Sequence, residues 1–337
     1  TQPESSAASD VYKRQIPKNI KIASILFLLV SVLSFFSCNW TESEENTTAT
    51  TTVKKPTVNV PKFDATSAYN FIKKQVDFGV RVPSTPEHKA CAEWLEQTLG
   101  SFADEVMVQE AEVKVYTGKK VPMYNVIGSF NPENKERILL AAHWDTRPFA
   151  DQDDERTDEP ILGANDGGSG VGVLLEIARV LKQQKVDIGV DIIFFDVEDY
   201  GNPETDGTYC LGSQYWGKNL HKPNYKAKYG ILLDMVGAAD ALFLKEQISM
   251  HYASDVVEKV WKTAHELGYG SYFSNETTRT PITDDHRYVN EIAKIPMIDI
   301  IHYTSQGGFG DFWHTHDDNM KIIDKGCLLY TSPSPRD

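Results

Sequence analysis

Acidic and imidazole side chains recur in this sequence just where strand-like runs end. His143 and Asp145 follow RILLAA, Glu198 and Asp199 follow DIIFFD, and Asp234 closes GILL. Asp166 lies in GANDGGSG, directly before a helix-like stretch, while Asp284-Asp285-His286 and Trp313-His314 stand in later loops. Taken singly, each has an ordinary reading. His143 suits a core histidine or loop cap, Asp166 a turn or helix N-cap, Glu198-Asp199 a solvated pair, and His316 a loop side chain. Together they read differently. Mixed carboxylate and imidazole ligands suit zinc, and three protein ligands beside an open position mark a catalytic metal site.

The elements that must position these residues alternate along the chain. Thr85-Pro86 opens a helix, with Thr85 as N-cap and Pro86 in the first turn, running to Gly100. VPMYNVIGSF and ERILLAAHWD read as strands, and SGVGVLLEIARVLKQQ as a helix with Val171, Leu174, Leu175, Ala178 and Leu181 on one face. VDIIFFD and YGILLDMVG are short continuous apolar runs, as buried parallel strands require. SDVVEKVWKTAHELG is a helix with Val256, Val257, Val260, Trp261, Ala264 and Leu267 inward, and MIDIIHY a late strand. The alternation predicts an α/β fold, a three-layer αβα sandwich around a mostly parallel central sheet. In such sheets ligands bind beyond the carboxyl ends of the strands, so the acids above are gathered into one crevice.

The series AAHWDTRP, GANDGGSG, FFDVEDYG, LLDMVG, DDHRYV and WHTHDDN, over roughly residues 63–325, resembles that of bacterial glutaminyl-peptide cyclotransferases, which share the zinc-aminopeptidase-like fold. The resemblance implies one zinc held by Asp166, Asp199 and His314. It implies Glu198 as general acid/base, Asp234 and Asp285 as the acids of a hydrogen-bonded network near the metal, and Trp313 as an aromatic of the substrate pocket. Trp144, Tyr209, Tyr215 and Trp216 are further pocket aromatics to consider, each with a packing role as the plainer reading. The implied chemistry is intramolecular. Zinc acts as a Lewis acid on the γ-carbonyl of an N-terminal Gln, the substrate's own amine attacks, Glu198 carries the proton, and ammonia leaves pyroglutamate behind. A narrow aromatic pocket would limit water. Two rival readings stand beside it. One is a two-zinc aminopeptidase of the same fold, because His143 and Asp234 match positions of a second metal site. The other is a binding domain on an inactive peptidase fold, which the full set of ligands disfavours.

Composition bounds the partners. The 337 residues carry a net charge of −14 and are 41% hydrophobic, enough for a large core and wrong for a nucleic-acid partner. The run Asp151, Asp153, Asp154, Glu155, Asp158, Glu159 reads as a solvated loop. Residues 16–38 read as a lipoprotein-type signal ending at Cys38, with an uncleaved anchor as the other reading, and residues 39–62 as a flexible linker. The expectation is a monomer tethered in a bacterial cell envelope, acting on Gln-initiated peptides or exported proteins. Residues 1–15 and 326–337 read as non-native strings, and NMKIIDK as the remnant of a final helix that the resemblance implies, which would leave apolar sheet surface exposed. Cys91 and Cys210 are left as a possible disulfide.

Overall fold

The structure, a computed structural model, describes residues 62–330. The signal, Cys38, nearly all of the linker and both terminal strings, apart from 326–330, lie outside the described residues.

Eight strands and seven helices follow one another: α1 (Ala65–Val76), α2 (Pro86–Phe102), β1 (Glu105–Lys114), β2 (Lys120–Phe130), β3 (Arg137–His143), α3 (Ser169–Gln183), β4 (Gly189–Phe195), α4 (Leu211–Lys218), β5 (Gly230–Asp234), β6 (Phe243–Lys245), α5 (Gln247–Glu266), β7 (Phe273–Thr277), α6 (Asp285–Tyr288), β8 (Met297–Ile301) and α7 (Lys325–Tyr330). A π-helical turn, Val289–Ala293, continues α6. Six strands form one sheet in the order β1-β2-β4-β3-β5-β8. The pairs β4–β3, β3–β5 and β5–β8 are parallel, and β1–β2 and β2–β4 antiparallel. The expected three-layer sandwich with a mostly parallel sheet is therefore present.

Alternation along the strands feeds both layers, because successive side chains point to opposite faces. Ile192 and Phe194 of β4 pack into the core shared with α1, α2, α3 and α5, while Ile193 and Phe195 pack with Trp216 of α4 on the other face. Helix α2 begins as its sequence dictates: the Thr85 hydroxyl accepts from the His88 amide at 3.1 Å, with Pro86 in the first turn. Helix α5 starts seven residues before the expected Ser254, crossing non-helical backbone at Ala253. The fold also runs past the expected boundary at 325, since Cys327 and Leu328 of α7 are buried against the main core. Cys91, Cys210 and Cys327 are all free, so the possible Cys91–Cys210 disulfide is not formed.

Candidate active site

The carboxyl ends of β3, β4 and β5 lie side by side, and backbone turns there aim the chemistry-bearing residues into one cleft. Val197 (φ +53°) and Met235 (φ +49°) leave β4 and β5 in the left-handed region, unusual for any non-glycine residue and strained for a β-branched one. Asp145 steadies the first of these turns: its two oxygens accept from the backbone amides of Glu198 (3.0 Å) and Asp199 (3.2 Å). The glycines of GANDGGSG are there for close approach. A Cβ on Gly167 (φ +82°) would fall 2.4 Å from the Asp145 carbonyl oxygen, and one on Gly170 would fall 2.1 Å from that of Leu233. Without side chains the turn before α3 presses onto β3 and β5, setting Asp166 beside Asp234. The Asp318 carboxylate accepts from the amides of Asn165 (2.7 Å) and Asp166 (3.0 Å), tying this turn to the late WHTHDDN loop.

Asp166, Asp199 and His314 converge as expected, all buried, with one ligand atom each lying within 4.8 Å of the others. Asp199 Oδ2 is buried with no hydrogen-bond partner, an arrangement that costs free energy in the absence of a cation. The donor set of two carboxylates and an imidazole fits zinc. His143 Nε2 lies 3.0 Å from Asp166 Oδ1 and 3.2 Å from Asp234 Oδ1, so His143, Asp166 and Asp234 form a second group of the same kind around the shared Asp166.

Glu198 faces a cleft of about 290 Å³ lined also by Tyr209, Asp234, Asp284, Phe309 and Trp313. Burial raises its carboxyl well above the usual range; His143 opposes this, while the charges of Asp199 and Asp284 add to it. Burial likewise lifts Asp234, to about 7, against the pull of His143. The Cys210 thiol donates to Glu198 Oε1 at 3.1 Å. Trp313 stacks on His314 with ring centroids 3.7 Å apart and meets Phe309 at 4.6 Å, making an aromatic wall beside the ligands.

Two expectations change, and the packing reading of the further aromatics holds for Trp144 and Trp216. Asp284, not Asp285, is the acid that reaches the cleft. Asp284 is the extended N-cap of α6, while Asp285, the first helical residue, is fully buried and does not line the cleft. Of the four further aromatics only Tyr209 lines the cleft; Trp144 stacks on buried His88 (4.6 Å), and Trp216 is fully buried in the opposite core. The acidic run is not wholly solvated: Asp151 bonds Arg147 and His314, and Asp153 Oδ2 lies 2.7 Å from His316 Nδ1. Arg147, Asp151 and Cys210 went unread as site residues, although Arg147 and Asp151 sit within a few residues of the HWD motif.

The model of peptidase family M28 matches residues 125–331. The chain belongs to the M28 peptidase family. Among solved structures it is similar to a glutaminyl cyclase of Porphyromonas gingivalis (53% identity, TM-score 0.78, covering 80% of this chain and 95% of that one). It is also similar to a Zn-dependent exopeptidase of Parabacteroides distasonis (51% identity, TM-score 0.79, covering 81% and 97%). Among curated proteins, the glutaminyl-peptide cyclotransferase of Gloydius blomhoffii is 25% identical over 279 residues, 74% of this chain and 73% of that protein.

Proposed function

We propose that this M28 member is a glutaminyl-peptide cyclotransferase, converting an N-terminal Gln to pyroglutamate with release of ammonia. The observation that carries the reading is the pairing, in one small cleft, of the Asp166–Asp199–His314 ligand set with a buried Glu198 carboxyl and the Trp313–Phe309 wall. The similarity to a solved bacterial glutaminyl cyclase above half identity supports it.

A bound zinc, held by Asp166, Asp199 and His314 and expected at one per chain, would supply a Lewis acid for the substrate's γ-carbonyl. The rest of the chemistry falls to the chain's own side chains. Glu198 takes a proton from the attacking α-amine and gives it to the departing amide nitrogen. Its raised proton affinity suits a group that must do both near neutral pH. Asp284 and Asp234, across the cleft, hold the leaving nitrogen in place as it takes that proton. Trp313, Phe309 and Tyr209 enclose the short Gln side chain and exclude water, which favours cyclisation over hydrolysis. The apolar run 20–37 ending at Cys38 supports an enzyme tethered in the cell envelope and acting on exported Gln-initiated chains.

A second reading, a two-zinc aminopeptidase, is favoured by the His143–Asp166–Asp234 group. Incubation of the purified protein with a Gln-initiated peptide separates them by mass spectrometry. Loss of one ammonia from an otherwise intact peptide is expected; release of the free N-terminal amino acid would sink the cyclase reading.

A further inference from the structure

We infer that Arg147 and Asp151 are positioning residues that fix the orientation of two of the three metal ligands at once. The inference rests on the metal reading above and concerns residues that do not line the cleft.

One guanidinium makes all the connections. Arg147 donates through Nε and Nη2 to the two oxygens of Asp151 (2.8 and 2.6 Å), and through Nη1 to Asp199 Oδ1 (3.1 Å) and the Asp199 carbonyl (3.0 Å). Asp151 Oδ1 in turn lies 3.1 Å from His314 Nδ1. An unbroken path therefore runs from Asp199 through Arg147 and Asp151 to His314. The Arg147 side chain is only 2% exposed, so its bonds to Asp199 form away from water.

The path has a consequence at each end. Asp151 faces His314 Nδ1, so on the neutral ring that a metal needs the proton sits on that nitrogen and the Nε2 lone pair faces Asp166 and Asp199. Arg147 donates to Asp199 Oδ1 and to the Asp199 carbonyl, which fixes how the carboxylate is turned, with Oδ2 buried and unpartnered. A planar group with donors in several fixed directions is needed; a lysine ammonium could not grip Asp151 with two nitrogens and still reach Asp199. Neighbouring bonds hold the two loops together without touching a ligand ring: Gln152 N donates to the His314 carbonyl (3.2 Å), and Asp153 Oδ2 accepts from His316 N (2.9 Å). Asp153 therefore serves as the control for loop packing.

The test is zinc affinity of the full chain, measured by competition with a chromophoric chelator, with thermal melting of the metal-free proteins to verify folding. Outer contacts of this kind are worth roughly 10–100-fold in metal affinity, so Asp151→Asn is expected to lose about tenfold and Asp151→Ala closer to a hundredfold, with Asp153→Asn near native. Arg147 is read through the visible absorption of the cobalt(II)-loaded protein, which is intense at four-coordinate sites and weak at higher coordination. Arg147→Met releases the Asp199 carboxylate from its fixed orientation, so that it can turn to bind through both oxygens and the band should weaken, and Arg147→Lys should restore part of it. Native affinity in both Asp151 variants, an equal loss in Asp153→Asn, or an unchanged cobalt band in Arg147→Met would overturn the inference. A native chain that takes up no zinc would overturn the metal reading instead. Asp151→Asn is nearly isosteric at a side chain 33% exposed, which keeps the test decisive if an Arg147 variant fails to fold.

Discussion

At the scale of the residue, Glu198 and His314 have separable duties. Glu198→Gln should abolish pyroglutamate formation, with kcat falling by about 100-fold or more, while zinc content per chain is unchanged. Retained turnover would remove Glu198 from its role. His314 is charged in the metal-free protein: burial favours the neutral ring, but Asp199, Asp151 and Asp166 outweigh it and raise its pKa to about 9. Zinc needs the neutral imidazole, so below that pH each ion bound displaces a proton, and apparent affinity falls about tenfold per pH unit on acidification. Calorimetry at neutral pH in buffers of different ionisation enthalpy should register that proton; its absence would show His314 already neutral. Which residues carry such duties was largely legible from sequence, because parallel strands end at one edge and acids just past them share it. The choice between Asp284 and Asp285 was not legible, since both are acids at one helix start and only the tertiary setting says which reaches the cleft.

At the scale of the element, Glu246 joins two pieces. As N-cap of α5 it accepts from the Ile248 (2.9 Å) and Ser249 (2.7 Å) amides. It also accepts from the Ile282 amide (2.9 Å) and pairs with His286 Nε2 (2.9 Å), on the segment that carries Asp284. Burial disfavours its charge, yet His286 and the backbone donors win and depress its pKa to about 2. A depressed carboxylate contributes stability that is fully present above the ordinary glutamate value and lost as pH falls through the folded one. Its share of stability should thus disappear between about pH 4.5 and 2. Glu246→Ala should cost roughly 3–5 kcal/mol in denaturant unfolding at pH 7, because it strands a buried imidazole and several amides; a cost below about 1 kcal/mol would contradict this account. Capping residues marked α2, and periodicity found α3 and most of α5, whose apolar stripes are dense. It passed over α1, with only Ala68, Ile72 and Gln75 buried, and over β1, a mostly exposed edge strand. Neither carries enough apolar pattern to stand out from a loop.

At the scale of the whole molecule, the sheet face between α3 and α5 holds an apolar cavity of about 450 Å³, lined by Ile138, Leu140, Ile177, Leu181, Ile231 and Val260. The folded protein should therefore enhance the fluorescence of an anilinonaphthalene dye without denaturant, and Val260→Glu should suppress the signal at unchanged secondary structure. A native chain that leaves the dye dark would show the face closed in solution. The active site, for its part, is sewn together from distant stretches: His314 must meet Asp166, and Asp318 must hold the Asn165 and Asp166 amides, across about half the chain. That separation sets an order in time. A chain emerging during synthesis carries Asp166 and Asp199 well before the imidazole that completes them. Catalytic competence comes as a last stitch, when the late loop closes.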